Sequence, residues 1–152
     1  MNILKINQYF LKQVLNDNIV KLTIRPKDNG KLYLLNEDQS AIFIIPEDDF
    51  HIELYHKDWC DLTPLVKQID YFEDHTYCFD KLNYIEDIVR DKKTLHHFQS
   101  EKGYHIYIDK KKLDLFKDRY SQVECYIDKE KSGLVYILEN EKCVGAIMNV
   151  RI

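Results

Sequence analysis

Glycine and proline are scarce in this chain, with 4 and 3 residues among 152. That scarcity and an aromatic content of 12% exclude a flexible linker or a disordered tail, because such segments bury little apolar surface. The sequence also lacks an apolar run long enough to cross a bilayer, and its first residues do not resemble a secretion signal. We therefore expect one globular domain in the cytoplasm, with no membrane partner.

Cysteine is too sparse for the disulfide framework of a small secreted domain, so we expect reduced thiols. The four residues are Cys60, Cys78, Cys125 and Cys143. We expect Cys125 and Cys143 to act as small core residues. His56 with Cys60 and His75 with Cys78 have the spacing of two zinc-ligand pairs, but their aromatic neighbours favour helical packing. A zinc-binding domain is thus the weakest alternative, and no cofactor or metal is expected.

Catalytic motifs are missing as well. The sequence has no Gly-x-Ser-x-Gly elbow, no His-Glu-x-x-His, no phosphate-binding loop and no dinucleotide fingerprint, so we predict that the protein is not an enzyme. His96 and His97 are adjacent, and neighbours on a helix point about 100° apart, which prevents joint chelation. We expect them to be partly exposed near a helix end.

Charge is distributed unevenly along a chain whose net charge is −4. Residues 51–101 carry 6 Lys and Arg against 11 Asp and Glu, whereas residues 102–152 carry 10 against 8. A polyanion should therefore prefer the C-terminal part of the protein.

An internal similarity relates residues 1–50 to residues 102–152. A shift of 102 positions aligns the segments before residue 20, for example Ile6 with Ile108 and Leu11 with Leu113. From residue 20 onward, a shift of 103 positions makes apolar residues and glycines coincide without a gap. The identical pairs are Val20 and Val123, Ile24 and Ile127, Gly30 and Gly133, Tyr33 and Tyr136, Leu35 and Leu138, and Ile44 and Ile147. We interpret this similarity as one building block written twice.

Each copy is predicted to form a βαβββ unit. In the second copy GYHIYI alternates like a strand, Asp109 can cap a helix that runs to about Tyr120, and the remaining strands are VECYID, GLVYILEN and VGAIMNVRI. The first copy is predicted to repeat this order with NILKI, a helix from Asn7 to Asp17, then VKLTIR, KLYLLN and SAIFIIP. Gly30 and Gly133 mark equivalent hairpin turns, where glycine can take a positive φ.

The two predicted helices should pack on the sheet through one face each. The apolar faces consist of Phe10, Leu11, Val14 and Leu15 in the first helix, and of Leu113, Phe116 and Tyr120 in the second. Burying two sheet faces and two helix stripes together is the simplest arrangement, so we predict a single α+β domain over residues 1–152 with an approximate twofold axis.

Residues 51–101 match neither copy and are predicted to form an acidic, aromatic-rich helical insertion between the halves. HIELYH is expected to prolong the last strand of the first half, and Thr63-Pro64 is a helix start. The apolar residues of that helix are Leu65, Val66, Ile69 and Phe72. A second helix is predicted from near Asp80 by the spacing of Leu82, Ile85, Ile88 and Val89.

A duplicated βαβββ unit whose last strand ends IMNVRI resembles one domain of the DNA sliding clamps, the family of the bacterial polymerase β subunit and proliferating cell nuclear antigen. The resemblance is closest over YIDKKKLDLFKDRYSQVECYIDKEKSGLVYILENEKCVGAIMNVRI and rests on element order and the terminal pattern. It implies a non-enzymatic, clamp-like processivity factor or accessory protein of DNA replication or repair. The small size would suit a phage or a mobile element.

The resemblance implies that basic residues on the two helices contact the phosphates of duplex DNA without reading its sequence. By position these residues are Lys5, Lys12, Lys110, Lys111, Lys112, Lys117 and Arg119. The alternative is a solvated helix face on which Lys110 pairs with Asp114. One domain cannot encircle DNA, so a ring would require self-association through strand edges or a partner already shaped as a clamp.

The resemblance also implies a pocket for short linear peptides of protein partners beside the last strand. The matching residues are Met148, Val150, Arg151 and Ile152, although Asn149 replaces the proline of the family. For Met148 the alternative is an ordinary core strand. A further alternative for the whole protein is an interaction module with a clamp-derived fold that does not bind DNA. Its partner surface would use aromatic residues of the insertion, among them Trp59, Tyr71, Phe72 and Tyr84.

Overall fold

The computed structural model describes residues 1–16, 20–23, 30–52, 57–60, 62–130 and 133–152, which form an α+β fold. The helices within these ranges are α1 (Ile3–Leu15), α2 (Thr63–Asp74) and α3 (Lys110–Phe116). The strands are β1 (Val20–Thr23), β2 (Lys31–Leu35), β3 (Ala41–Pro46), β4 (Lys57–Cys60), β5 (Phe79–Arg90), β6 (Lys93–Ser100), β7 (His105–Asp109), β8 (Val123–Asp128), β9 (Leu134–Glu139) and β10 (Lys142–Met148). No helix in the described ranges is long and apolar enough to cross a membrane.

The ten strands form one continuous sheet in the order β4-β1-β2-β3-β10-β9-β8-β5-β6-β7. All neighbours are antiparallel except β1 and β4, which are parallel. The long strand β5 links β8 to the β6–β7 part of the sheet, because its first residues pair with β8 and the rest pair with β6. A bulge between Tyr84 and Glu86 interrupts the β5–β6 pairing, and bulges of this kind bend a strand.

Helices cover both faces of the central strands, so the protein has two apolar cores. On one face α1 and α3 insert Ile6, Phe10, Leu113 and Phe116 against alternate residues of the strands. On the other face α2 inserts Val66, Ile69 and Phe72. Successive residues of β2 accordingly enter opposite cores, since side chains alternate along a strand.

The C-terminal residues close one end of the sheet. The backbone N–H of Val150 donates to the carbonyl oxygen of Tyr107 in β7 at 2.8 Å. The N–H of Tyr107 donates to Oδ1 of Asn149 at 3.0 Å. Both backbone groups of Tyr107 that point away from β6 therefore have partners, which leaves less of this edge open to another chain.

Several predicted elements of the second copy are confirmed. The predicted strand VECYID coincides with β8, and the side chain of Asp109 caps α3 by accepting from the N–H of Lys111 at 2.9 Å. Within the insertion, α2 begins at Thr63 as predicted and buries Val66 on the sheet. The strand β3 ends at Pro46.

The prediction for the start of the first copy is wrong. NILKI does not form a strand; it forms the beginning of α1, because the side chain of Asn2 accepts from the N–H of Lys5 and caps the helix. As a result Ile6, Phe10 and Gln13 face the core, while Leu11 and Leu15, predicted to be buried, are 45% and 73% exposed. The predicted helix end at Asp17 lies outside the described residues.

The prediction of a second helix in the insertion is also wrong. Residues from Phe79 to Arg90 form β5, and Ile85 and Val89 are 47% and 76% exposed on it. Two residues with positive φ, Asp91 and Lys92, turn the chain directly into β6, and the hairpin supplies the hydrogen bonds that a helix would have formed internally. Between the halves, the described part of the insertion therefore contains the strand β4, the α-helix α2, a 3-10 turn at Thr76–Cys78 and the long β5–β6 hairpin.

Three smaller predictions need correction. The helix α3 ends at Phe116, so Tyr120 lies beyond it and is 82% exposed. The strand β3 does not continue into His51, because a 3-10 turn follows Pro46; residues 53–56 of HIELYH lie outside the described ranges. Gly30 has the expected positive φ of 61°, whereas Gly133 does not have a positive φ.

Candidate functional site

The two helices that share one face of the sheet form a basic layer, which we call the α1–α3 layer. The helix α1 carries Lys5 and Lys12 and no acidic residue, and α3 carries three lysines with Asp114 as its one acidic residue. On the opposite face, α2 carries one lysine and three acidic residues. Among the three helices, positive charge is therefore concentrated on α1 and α3, although the net charge of the whole protein is −4.

Three of the predicted DNA-contacting lysines are exposed on this layer. Lys5, Lys12 and Lys111 are all accessible to solvent. None of them forms an ion pair within the described part of the chain. Their ammonium groups can therefore approach an external polyanion without first leaving a carboxylate of these described residues.

The other three lysines are engaged in ion pairs. Lys110 Nζ lies 2.7 Å from Asp87 Oδ2, and Lys112 Nζ lies 2.7 Å from Asp38 Oδ2. Lys117 Nζ lies 3.6 Å from Asp114 Oδ1. The pair expected between Lys110 and Asp114 is thus replaced by pairs that tie α3 to neighbouring elements. The short contacts of Lys110 and Lys112 reduce the charge that these two residues offer to DNA, whereas the contact of Lys117 is longer and weaker.

Arg119 lies beyond the end of α3 and is exposed. Its guanidinium carbon lies 4.9 Å from the ring centroid of Tyr120, which is exposed too. An exposed cation–π contact of this kind contributes about 0.5–1 kcal/mol, so it does not prevent Arg119 from contacting a phosphate.

Asp38 connects the turn between β2 and β3 to α3. Its carboxylate accepts hydrogen bonds from the ammonium of Lys112, the hydroxyl and N–H of Ser40, and Nδ2 of Asn36. Partial burial raises the pKa of Asp38, but the hydrogen bonds from Lys112 and Ser40 outweigh it and lower the pKa to about 2. Asn36 is 1% exposed and holds this turn by accepting from the N–H of Ala41 at 2.8 Å.

Asp87 forms a second connection, between the β5–β6 hairpin and α3. Besides Lys110, it accepts from the hydroxyl of Tyr84 at 3.1 Å and contacts Nδ1 of His96 at 2.5 Å. The hydrogen bond from Lys110, followed by those from His96 and Tyr84, lowers the pKa of Asp87 to about 2. Asp87 is therefore a carboxylate at neutral pH.

The two adjacent histidines lie on β6, not on a helix, and point to opposite faces of it. His96 is 5% exposed and contacts Asp87, whereas the Nε2 of His97 lies 2.8 Å from Nδ1 of His105. The ring of His97 also stacks on Tyr107, with centroids 4.8 Å apart. Joint chelation by His96 and His97 is excluded by this strand geometry.

Met148 borders an apolar cavity of about 560 Å³ between α2 and the sheet. The side chains that line it include Leu65, Tyr71, Phe79, Leu134 and Tyr136. Met148 is 51% exposed and Tyr71 is 52% exposed, so the cavity is open to solvent beside the last strand. This is a suitable site for apolar side chains of a peptide, and the contribution of α2 to it was not predicted from the sequence.

The other three residues assigned to peptide binding lie elsewhere. Val150 is half-buried and is bonded to β7 through its backbone. Arg151 and Ile152 are exposed at the end of the chain. The structure thus brings Met148, but not these three residues, to the lining of the cavity.

The aromatic residues considered for a partner surface also differ in position. Phe72 is buried and stacks on Tyr136 with centroids 4.7 Å apart, so it is a core residue. Tyr71 and Tyr84 are 52% and 54% exposed. The side chain of Trp59 lies outside the described part of the chain.

The cysteines that the structure describes are free thiols. Cys125 and Cys143 are buried, as predicted, and they belong to different cores. Burial raises the pKa of each thiol to about 12. His75 stacks on Tyr71, and Cys78 is partly exposed; His56 and the side chain of Cys60 lie outside the described residues. Within the described residues, no group of three or more His, Cys, Asp and Glu is arranged to hold a metal.

A scan against protein-family models and searches of curated proteins and of solved structures found no significant match for this chain.

Proposed function

We propose that the protein is a clamp-like, non-enzymatic module that binds duplex DNA through the α1–α3 layer, as an accessory factor of replication or repair. The observation that supports this proposal best is the separation of charge across the sheet, with lysines on one face and the acidic helix α2 on the other. Binding that depends on phosphate contacts needs charge density more than exact geometry, because released counterions provide much of the free energy.

The strand register supports a duplicated building block. In β1–β2, Leu22 pairs with Leu34. A shift of 103 positions converts this pair to Cys125 and Ile137, which are paired in β8–β9. The last strands of the two copies, β3 and β10, are antiparallel neighbours, as a twofold axis between the copies requires.

Two departures limit how closely the copies correspond. The first copy begins with α1 and, within its described residues, has no strand that corresponds to β7. In the second copy, a bulge between Cys143 and Gly145 shifts the β9–β10 pairing relative to β2–β3. The clamp-like proposal accordingly rests on the three-stranded part of each copy and on the two helices that share one face.

A salt titration of DNA binding tests the proposal. A fluorescent duplex should bind at low salt, and its affinity should fall steeply as salt increases. In the triple variant Lys5→Glu, Lys12→Glu, Lys111→Glu, the slope of log K against log salt should decrease by about 0.9 for each phosphate that the protein no longer neutralises. These three positions are preferable to Lys110 and Lys112, because replacing the latter would also break ion pairs within the fold.

Lys67→Glu is the control for reversal of one charge and is compared with Lys111→Glu alone, since Lys67 is exposed on α2 at the opposite face of the sheet. It should leave DNA affinity and its salt dependence unchanged. Absence of binding at low salt, or an equal loss of affinity in Lys67→Glu and Lys111→Glu, would contradict DNA binding by the α1–α3 layer. Light scattering coupled to chromatography then separates a ring from a monomer, because a ring requires a closed multiple of the chain mass.

The cavity beside Met148 favours a second candidate, an interaction module that binds a short peptide without DNA. Its apolar lining and its two half-exposed side chains, Met148 and Tyr71, would accommodate apolar side chains of a partner segment. Labelled peptides with adjacent apolar residues should bind the wild type and bind Met148→Glu at least about tenfold more weakly, as expected for loss of an apolar anchor. Equal binding by both proteins would exclude this cavity.

A further inference from the structure

A second cavity, of about 390 Å³, lies where the β5–β6 hairpin meets α3 and β8. Its floor is apolar and includes Leu82, Phe98, Leu113 and the neutral thiol of Cys125. Its polar lining includes Lys117 and Gln122, which are exposed, and His96, which is buried. The volume is within the range of about 300–1,000 Å³ that is usual for small-molecule sites.

At Nδ1 of His96, which faces Asp87 on β5, hydrogen bonding is complete. Nδ1 lies 2.5 Å from the carboxylate of Asp87, which also accepts from Lys110 and Tyr84. Because Asp87 carries no proton at neutral pH, the hydrogen in the contact with His96 belongs to Nδ1. The imidazole is thereby fixed in orientation, with Nε2 directed at α3.

The side of His96 that faces the cavity is poorly satisfied. Nε2 lies 3.4 Å from Lys117 Nζ and 3.9 Å from Asp114 Oδ1, so its partners are at or beyond the limit of a hydrogen bond. Lys117 itself lies 3.6 Å from Asp114, which is also too long for a hydrogen bond. An ammonium has three donors, and the long contact with His96 uses one of them within the described residues.

The remaining charges at the opening are better paired than Lys117. The ammonium of Lys81 contacts the carboxylate of Glu124, which also accepts from the hydroxyl of Tyr126 at 2.9 Å. An incoming group would thus compete with strong contacts at Lys81 and with weak ones at Lys117. The charged hydrogen-bond donors that remain available at the opening therefore belong to the ammonium of Lys117, which lies beside the apolar floor.

From this arrangement we propose that the cavity binds a small organic anion. Its oxyanion head accepts hydrogen bonds from Lys117, while a flat apolar body lies on Leu82, Phe98 and Leu113. His96, held by Asp87, acts as a positioning residue, because its Nε2 accepts from the ammonium of Lys117 and so orients that ammonium toward the head. This proposal is independent of DNA binding, because the cavity recognises one anionic head group and one apolar body of a small molecule.

The experiment uses two anionic probes, 1-naphthoate and adenosine 5′-monophosphate, which carry a carboxylate and a phosphate head. Inorganic phosphate supplies a head without a body, and adenosine supplies a body without a charge. Calorimetry measures each affinity, and amide chemical shifts locate the binding site. At least one anionic probe should bind more tightly than phosphate and adenosine, and the shifts should be largest at His96, Phe98 and Val123.

Lys117→Gln is the decisive variant, because Lys117 is exposed and its replacement does not disturb the core. This variant should bind the probe with about tenfold lower affinity, which is the effect of losing one charge-assisted hydrogen bond. Lys93→Gln is the control, because Lys93 is exposed and lines neither this cavity nor the one beside Met148, and the variant should bind the probe like the wild type. Equal affinity of Lys117→Gln and wild type, shifts confined to another part of the protein, or no binding at millimolar probe would each overturn the proposal.

Discussion

The ring of Phe116 stacks on the ring of Phe43, with centroids 4.7 Å apart and planes inclined by 19°. This contact joins α3 to a central strand, and the space beside it is filled by the backbone of Gly145. A Cβ at position 145 would lie 2.2 Å from the carbonyl oxygen of Ile42 and 2.5 Å from the ring of Phe116. The absence of a side chain at Gly145 therefore allows β3, β10 and α3 to pack together.

Gly145→Ala should destabilise the protein by about 1–3 kcal/mol, the usual cost of overpacking a core. The added methyl group would collide with backbone as well as with a ring, so the strands would have to separate. Urea unfolding of the variant measures the change. Gly133→Ala is the control, because a Cβ there meets no atom within 4 Å, and its free energy of unfolding should match the wild type. An unchanged midpoint for Gly145→Ala would contradict the close approach.

Asn36→Ala should also lower the free energy of unfolding, by about 1–3 kcal/mol, because it leaves the buried N–H of Ala41 without an acceptor. Asn36→Asp separates the two functions of this side chain. The aspartate would still accept from Ala41 but would place a second carboxylate beside Asp38, where Nδ2 of Asn36 now donates at 2.6 Å. We expect the Asp variant to lose stability at neutral pH and to regain part of it in acid. Equal stability of the wild type and both variants would contradict the assigned hydrogen bonds.

The carboxylate of Asp38 should titrate with a pKa of about 2, below the ordinary value of about 3.9. Because the folded-state pKa is depressed, the stabilisation is complete above the ordinary value and is lost as pH falls from about 4 to about 2. Its magnitude is small, since the side chain of Asp38 is 55% exposed and solvent screens the pair with Lys112. Carbon NMR of the carboxyl group measures the midpoint. In Lys112→Met the midpoint should move toward the ordinary value, and a midpoint that stays at about 2 would assign the shift to Ser40 instead.

The neutral form of His96 should carry its proton on Nδ1, because Asp87 accepts at that nitrogen. Long-range proton–nitrogen NMR distinguishes the two tautomers directly. In Asp87→Ala the acceptor is removed, and the population should shift toward the Nε2 form. Thr94→Ala, a nearby change on β6 that leaves Asp87 in place, should retain the wild-type pattern. Identical tautomers with and without Asp87 would contradict the proposed orientation of the imidazole.

The strands of the second copy were predictable because local signals agreed with the tertiary structure. In β8, alternation places Cys125 and Ile127 in the core, and Asp109 supplies a cap at the start of α3. The start of α2 at Thr63 followed from the proline after it and from apolar residues at helical spacing.

The incorrect predictions concern short segments whose apolar residues are compatible with both helix and strand periodicity. The apolar residues of β5 recur at intervals compatible with a helix, yet their β-branched side chains and the turn at Asp91 and Lys92 favour a hairpin. At the N-terminus, the same ambiguity concealed the cap at Asn2. Short apolar segments of this kind are decided by their partners in the fold, which local periodicity does not reveal.

The candidate sites were predictable only in part, because their members are far apart in sequence. The lysines of α1 and α3 could be identified from position, but the contact of Lys112 with Asp38 spans 74 residues. The contact of Lys110 with Asp87 spans 23 residues and crosses from the hairpin to α3. A single sequence carries no local signal for such contacts, so the charge compensation on α3 and the cavity at His96 emerged only from the fold.

The covering of the central strands on both faces has a consequence for how the chain selects its alignment during folding. In a sheet with one solvent-exposed face, a register shift of one residue moves the apolar side chains into solvent and is unfavourable for that reason. Here a shift of one residue would only exchange the side chains of the two apolar cores. Hydrophobic burial alone therefore does not favour the correct register over the shifted one. Discrimination must come from shape, and the gap that Gly145 leaves for Phe116 is the kind of feature that only one alignment can fill.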